Sequence, residues 1–370
     1  MSGEIVRRVT TRLIEREMGG GLRNPRQRWT RKQILLCFVE GEGGEVGVGE
    51  AWLSGGSARA IEQTIEDDLA PRVVGRSPFE VTGIAHEVFR TIEMSGRTGA
   101  TGAAWSAVDM ALWDLAARVA GLPLYRMLGA ATDRVFAYAS AGLYGETKTL
   151  DDLASEVLGY VDRGFTAVKM KVGGAPLKED VERVRVVRET IGADTRLMVD
   201  ALYNLDVAEA IAMARAFERF DIHFFEAPVS PYDIEGQARV ARASPIPICG
   251  NENQAWLGYF RRLIDAHAVH YVQFDLAACG GVGEGMRIAH YAQAHHLPIT
   301  LHASSSSALF AASLHLAAAC PNTHSVEYHM LHQWFWDLVP DDAFAPEPGG
   351  FLRPPAGPGI GIELRPEDVV

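Results

Sequence analysis

The chain has 370 residues, of which 48% are hydrophobic and 22% charged, and its 47 acidic against 35 basic side chains leave a formal net charge of −12. That length gives room for two domains, or for one large α/β barrel with an addition, and the apolar content excludes a disordered chain. The acidic balance argues against nucleic acid or an anionic membrane as partner, because both demand a positive face.

The first residues, MSGEIVRRVTTRLIERE, contain no apolar stretch of the secretory kind. No uncharged apolar run reaches the ~20 residues that span a bilayer, so a soluble, cytoplasmic protein is expected. A β-like run, Ile34–Val39, is broken by the turn from Glu40 to Glu45. Helix-like stretches follow at Ala58–Leu69 and Ala103–Val119, the second stopped by Gly121 with Pro123 just beyond. This opening zone reads as an α+β unit over residues 1–130. From about residue 134 short apolar runs alternate with amphipathic segments such as Asp180–Ile191 and Val207–Phe220. The predicted strands are Val135–Ala139, Ala167–Lys171, Arg196–Asp200, His223–Glu226, Ile248–Glu252, Tyr271–Asp275, Ile299–His302 and Ser325–Glu327. Eight strands in one strand–helix series predict a (β/α)8-type TIM barrel over residues 131–335, with a last helix that is irregular or missing, hence a modified (β/α)7β barrel. The Pro- and Gly-rich tail, residues 336–370, is expected to return to the first zone. Cys37, Cys249, Cys279 and Cys320 form no CxxC pair and read as reduced, buried thiols.

Strand interiors are apolar, yet nearly every strand ends in an ionisable residue: Lys169 and Lys171, Asp200, Glu226, Glu252, Asp275, His302 and Glu327. Counted from Lys171, the gaps are 29, 26, 26, 23, 27 and 25 residues, each one βα unit. The set is therefore expected at one height, at the C-terminal mouth of the barrel where such enzymes carry their chemistry. Three carboxylates from consecutive strands, Asp200, Glu226 and Glu252, would repel one another without a cation, and hard oxygen donors suit Mg2+. Lys169 and Lys171 alternate in AVKMKVGG and so face the same way. Two like charges there are expected to depress one amine until it serves as a base. Asp275 and His302 end adjacent strands, an arrangement that orients an imidazole and supports its charged form. Lys171 and His302 would approach the carbon beside a substrate carboxylate from opposite sides. Lys169 and Glu327 would bear charge on the resulting ene-diolate, Glu327 as a donor if crowding by other carboxylates protonates it. The remaining histidines read as surface or packing residues.

At these residues the chain resembles the enolase superfamily and, within it, the mandelate racemase subgroup. The matching pieces are Lys169-Met-Lys171, Asp200 in LMVDALYNLD, Glu226 in FFEAPVSP, Glu252 in GNEN, Asp275 in QFDLAACGG, His302 in PITLHASSS and Glu327 in SVEYH. The resemblance implies an N-terminal α+β capping domain completed by the C-terminal segment, and one Mg2+ per subunit on Asp200, Glu226 and Glu252. It implies Lys171 and the His302–Asp275 dyad as acid and base, with Lys169 and Glu327 at the substrate carboxylate. It also implies a homo-oligomer acting on a small sugar acid or α-hydroxy acid. Dehydration to a 2-keto-3-deoxy acid is the leading expectation. Racemisation or epimerisation of an α-hydroxy acid is the alternative, ahead of a non-catalytic sugar-acid sensor or a metal-independent retaining glycosidase. The family often has Asn where this chain has Leu202, so Asn204 is a candidate for the missing hydroxyl contact. Specificity in the family comes from mobile capping loops, here GGGLRNPRQRW (Gly19–Trp29) and the turn Trp52–Gly56. The candidate substrate contacts are thus Arg23, Trp29, Trp52 and Asn204, with Arg23, Arg26 and Arg28 able to reach a second carboxylate of a diacid.

Overall fold

The computed structural model describes residues 4–18, 21–53, 57–94, 96–331, 339 and 343–369. Strands β1 (Val6–Glu17), β3 (Arg31–Gly41) and β4 (Val46–Ala51) form an antiparallel sheet in the order β1-β3-β4, and a two-residue strand β2 (Leu22–Arg23) lies in the connection between the first two. Helices α1 (Ala58–Gln63), α2 (Ala70–Val73) and α3 (Val81–Ile92) follow, α1 passing into α2 through a wider π turn at Thr64–Leu69. Helix α4 (Ala100–Val119) is buried on almost every side. A helix apolar all round must be covered all round. The sheet covers one side of it and the barrel the other. β4 reads VGVGEA because the helix backbone lies directly on it. A Cβ on Gly47 or Gly49 would come within 2.1 Å of the carbonyl oxygen of Ala111 or Ala107. The polar side chains of α4 bind backbone of three different parts. Asp109 accepts from Gly283 N at 2.9 Å, and Asp114 accepts from Val48 N at 2.9 Å and Ile360 N at 2.8 Å.

After the short α5 (Leu124–Met127) the chain enters a parallel barrel. Its strands are β5 (Val135–Ala141), β7 (Ala167–Lys171), β8 (Arg196–Asp200), β9 (Ile222–Glu226), β10 (Ile248–Gly250), β11 (Tyr271–Asp275), β12 (Ile299–His302) and β13 (Thr323–His329). Each pairs with the next, and β13 pairs with β5 to close the ring. Strand β6 (Tyr144–Gly145) joins β2, and β14 (Phe351–Leu352) runs antiparallel outside β5. The connecting helices are α6 (Leu150–Asp162), α7 (Leu177–Ile191), α8 (Val207–Phe217), α9 (Ile234–Ala243), α10 (Leu257–Asp265), the pair α11 (Leu276–Cys279) and α12 (Gly281–Ala294), and α13 (Ser307–Ala319). Helices α6 and α8 begin with reciprocal capping boxes, Thr149 with Asp152 and Asp206 with Glu209. The fold is thus a (β/α)7β barrel with an N-terminal α+β addition. Of the residues after β13, 332–338 lie outside the described set. The tail reaches the first zone through Leu124 N to Gly359 O at 2.7 Å and Arg12 Nε to Pro366 O at 3.2 Å.

Four strands differ from their expected bounds: β5 runs on to Ala141 and β9 begins one residue earlier, at Ile222, while β10 and β13 differ where the site lies. β10 stops at Gly250, which puts Glu252 on the loop beyond it. β13 runs on to His329, which puts Glu327 inside the strand. Inward-facing Tyr138, Ala167, Met198, Phe224 and Cys249 fill the lumen. Two residues further along β5, β7, β8 and β9, the same face carries Ser140, Lys169, Asp200 and Glu226. The apolar plug therefore gives way to ionisable groups at the mouth.

Candidate active site at the barrel mouth

Lys169, Asp200, Glu226 and Glu327 are fully buried side by side, and Lys171 is only slightly more open. Parallel register sets Lys171 beside Asp200 and Asp200 beside Glu226. The Lys169 ammonium lies 2.7 and 2.8 Å from the two Glu226 oxygens, 3.0 Å from Glu327 and 3.8 Å from Asp200. Lys171 donates to Asp200 in a short ion pair. Burial works to lower both lysines, but Glu226 and Glu327 carry Lys169 well above the ordinary range, and Asp200 raises Lys171. The expectation that two like charges would free one amine is not met. Each ammonium has its own carboxylate, and that attraction exceeds the repulsion between them. Burial pushes Glu226 up to about 8 and raises Glu252, while the two lysines hold Asp200 below its ordinary value against its own burial.

On the other wall His302 Nδ1 is 2.6 Å from Asp275 Oδ2, and Asp275 Oδ1 accepts from Ala277 N at 2.7 Å. That second bond fixes the carboxylate, which in turn fixes the ring. His302 Nε2 lies 3.4 Å from Glu327. Burial disfavours the imidazolium, but Glu327 and Asp275 outweigh it and bring His302 to about 9. Burial likewise works to raise Glu327, and Lys169, His302 and Lys171 overcome it and hold that carboxyl well below the usual range. The protonated Glu327 expected from crowding is therefore corrected. Its nearest charged neighbours are cations, and it bridges the two walls as an anion. Around the ring, β7 and β12 are separated by β5 and β13 on one arc and by β8 to β11 on the other. The amine and the imidazole thus come from different walls.

Both open into one cavity of about 690 Å³. Trp29, Trp52, Leu202, Tyr203, Glu252 and His329 line it as well. The Trp52 ring stands 5.5 Å from that of His302, and Trp52 N donates to Ala277 O at 3.1 Å. Two of the expected substrate contacts point elsewhere. Arg23 donates to Gly174 O at 3.1 Å and lies over the Tyr144 ring, and Asn204 donates to Gly173 O at 2.8 Å. Both brace the loop after β7 instead of lining the cavity. Arg26 and Arg28 do line it, Arg26 bonded to Tyr203 O at 3.3 Å and Arg28 paired with Glu146 at 2.5 Å. Gly19, Gly20, Ser54, Gly55 and Gly56 of the two expected loops lie outside the described residues.

Several cavity residues were missed in the sequence, most of them without any signal there. Lys32 and Glu50 come from β3 and β4, and only tertiary folding brings that sheet over the mouth. Glu50 is buried and accepts from Ser306 N at 3.2 Å and from the Ser306 hydroxyl, tying the loop after β12 to the sheet. Tyr203 donates to Glu252. His329, which reads as a packing histidine, is buried at the cavity wall, and burial with the nearby lysines and His302 keeps it neutral. The i, i+2 relation to Glu327 on one strand was the signal that would have found it.

The donor set suits a hard divalent cation: three buried carboxylates on neighbouring strands or just beyond, all oxygen, with no histidine among them. As placed, Asp200 and Glu226 turn to the lysines and Glu252 to Tyr203, and among the described residues no three acidic, histidine or cysteine side chains gather about one point.

A closed parallel barrel with its ionisable groups at the strand C-terminal ends defines an α/β-barrel enzyme. The chain belongs to the mandelate racemase/muconate lactonizing enzyme family of the enolase superfamily. Residues 25–129 match "Mandelate racemase / muconate lactonizing enzyme, N-terminal domain" and residues 152–369 match "Enolase C-terminal domain-like". It is 32% identical over 333 residues to the arabinonate dehydratase of Saccharolobus solfataricus, a match covering 90% of this chain and 88% of that one. It is 31% identical over 369 residues to the D-galactarolactone cycloisomerase of Agrobacterium fabrum, covering 96% of each. Among solved structures, a racemase from Streptomyces coelicolor A3(2) with bound magnesium superposes with a TM-score of 0.90 at 29% identity, covering 99% of each chain. No helix among the described residues is long and apolar enough to cross a membrane.

Proposed function

We propose that the protein is a divalent-metal-dependent acid-sugar dehydratase that converts a sugar acid to a 2-keto-3-deoxy acid. The observation that carries this reading is one cavity into which Lys171 and His302 open from different walls, beside three buried carboxylates, two at strand ends and Glu252 on the loop after β10. Asp200, Glu226 and Glu252 would hold one Mg2+ per subunit, and the ion would supply positive charge beside the substrate carboxylate. Lys169 adds a fixed positive charge at that end. Lys171, once deprotonated, takes the proton from the carbon next to the carboxylate. His302, an imidazolium below about pH 9, gives its Nε2 proton to the departing 3-hydroxyl, which leaves as water. Asp275 keeps the ring oriented, and Glu327 between the walls supports the charge on Lys169 and His302. The enol left behind tautomerises to the ketone. Trp29 and Trp52 would contact the sugar chain and exclude water.

The racemase and cycloisomerase among its relatives keep one alternative in view, in which the proton is returned and no water leaves. We also take residues 1–130 as the capping domain, 131–335 as the barrel and 336–370 as the returning segment, in a homo-oligomer of the cytoplasm. A panel of mono- and diacid sugars incubated with Mg2+ tests the activity. A semicarbazide-reactive 2-keto-3-deoxy product is expected from at least one of them. Epimerised acid with no keto product would replace the dehydratase by an epimerase.

A further inference from the structure

Lys32 is one of the ionisable groups of the cavity that the reaction above leaves unused, with Glu50, His329 and the outer arginines. It sits near the start of β3, and its ammonium makes one hydrogen bond among the described residues, a 3.4 Å donation to the carbonyl of Ser304. Ser304 is two residues past His302, so the amine stands on the imidazole's side of the cavity. Among the described residues no carboxylate oxygen lies within 4.0 Å of it. Glu50 and Asp275 act on it from beyond that distance, and the Glu50 Oε2 already accepts the Ser306 amide and the Ser306 hydroxyl. Arg26 and Arg28 line the same outer wall, the first bonded to a backbone carbonyl and the second to Glu146. The outer wall is therefore rich in cations, and among the described residues the Lys32 ammonium donates to one acceptor only. Burial lowers the Lys32 ammonium, and a ligand anion there would relieve that cost. A neutral sugar hydroxyl would satisfy a donor but leave the charge unmatched.

We propose that Lys32 receives a second carboxylate at the far end of the substrate, which makes the substrate an aldarate, a sugar acid with a carboxylate at each end. The assignment rests on the dehydratase reading and narrows it. Lys32 acts on binding, since it touches the end of the molecule where no bond changes.

Steady-state kinetics on stereochemically matched pairs, galactarate with galactonate and glucarate with gluconate, tests it in the presence of Mg2+. The wild-type enzyme should favour the aldarate of its preferred pair at least roughly tenfold in kcat/KM, the discrimination expected of a desolvated charge-assisted hydrogen bond. Lys32→Met should raise KM for the aldarate roughly 10–100-fold with kcat nearly constant, and raise the aldonate KM far less. Lys32→Arg should recover part of the aldarate loss. Circular dichroism checks that the Met variant is folded, and Lys32→Gln serves in its place if it is not. Equal losses on both members of a pair, a fall in kcat in place of a rise in KM, or a wild-type preference for the aldonate would each overturn the assignment. Turnover of no sugar acid at all would remove the dehydratase reading itself, and the Lys32 assignment with it.

Discussion

His302 stands between two carboxylates, Asp275 at 2.6 Å and Glu327 at 3.4 Å, and that placement sets its charge. Its folded-state value, about 9, lies above the ordinary 6.5 of an unfolded chain. A group raised on folding contributes stability that is complete below the unfolded value and is lost as pH rises through the folded one. Unfolding free energy should therefore decline between pH 7 and 9.5, and His302→Asn should flatten that decline. Urea titrations of the two proteins at both pH values measure this, and parallel curves would show that His302 is not held charged. The same charge would let His302 serve as the proposed proton donor at neutral pH. The dehydration rate should fall on an alkaline limb near pH 9, and the general acid should be worth roughly 10²–10⁴ in kcat.

The barrel strands were legible almost residue by residue. A strand buried on both faces reads as an unbroken apolar run, and a mouth residue marks its end. The exceptions share one cause: the run and the hydrogen-bonded strand need not stop together. At β10 the ladder ends at Gly250 while the apolar and acidic pattern continues to Glu252, and at β13 pairing continues to His329. The catalytic candidates on strands were legible for the same reason, since their spacing repeats with the βα unit. Lys32 and Glu50 were not, because the antiparallel sheet that carries them has no sequence period relating it to the barrel. Arg23 and Asn204 were misplaced because loop side chains answer to nearby carbonyls, here those of Gly174 and Gly173. Gly49→Ala would place a Cβ 2.1 Å from the Ala107 carbonyl, where backbone cannot yield as a side chain would. It should cost about 1–3 kcal/mol in urea unfolding. An unchanged midpoint would mean that sheet and helix are further apart than described.

The molecule as a whole is acidic, with a net charge of −12, while the outer wall of its cavity carries Arg26, Arg28 and Lys32. An anionic substrate would thus meet local charge opposite in sign to the net charge of the molecule. The site is also a composite. The barrel supplies the candidate proton-transfer groups and the carboxylate trio, the antiparallel sheet and the residue after β4 supply Lys32, Glu50 and Trp52, and α4 holds the two together through Asp109 and Asp114. Neither part has the whole cavity alone. The most direct measurement of the central claim is turnover of the preferred sugar acid in D2O, followed by NMR, for the wild type, Lys171→Ala and His302→Asn, each with Mg2+ and with chelator. A keto acid carrying one solvent deuterium at C3 is expected, formed only by the wild type and only with the metal. Full-rate product from either variant, or from the chelated enzyme, would contradict it.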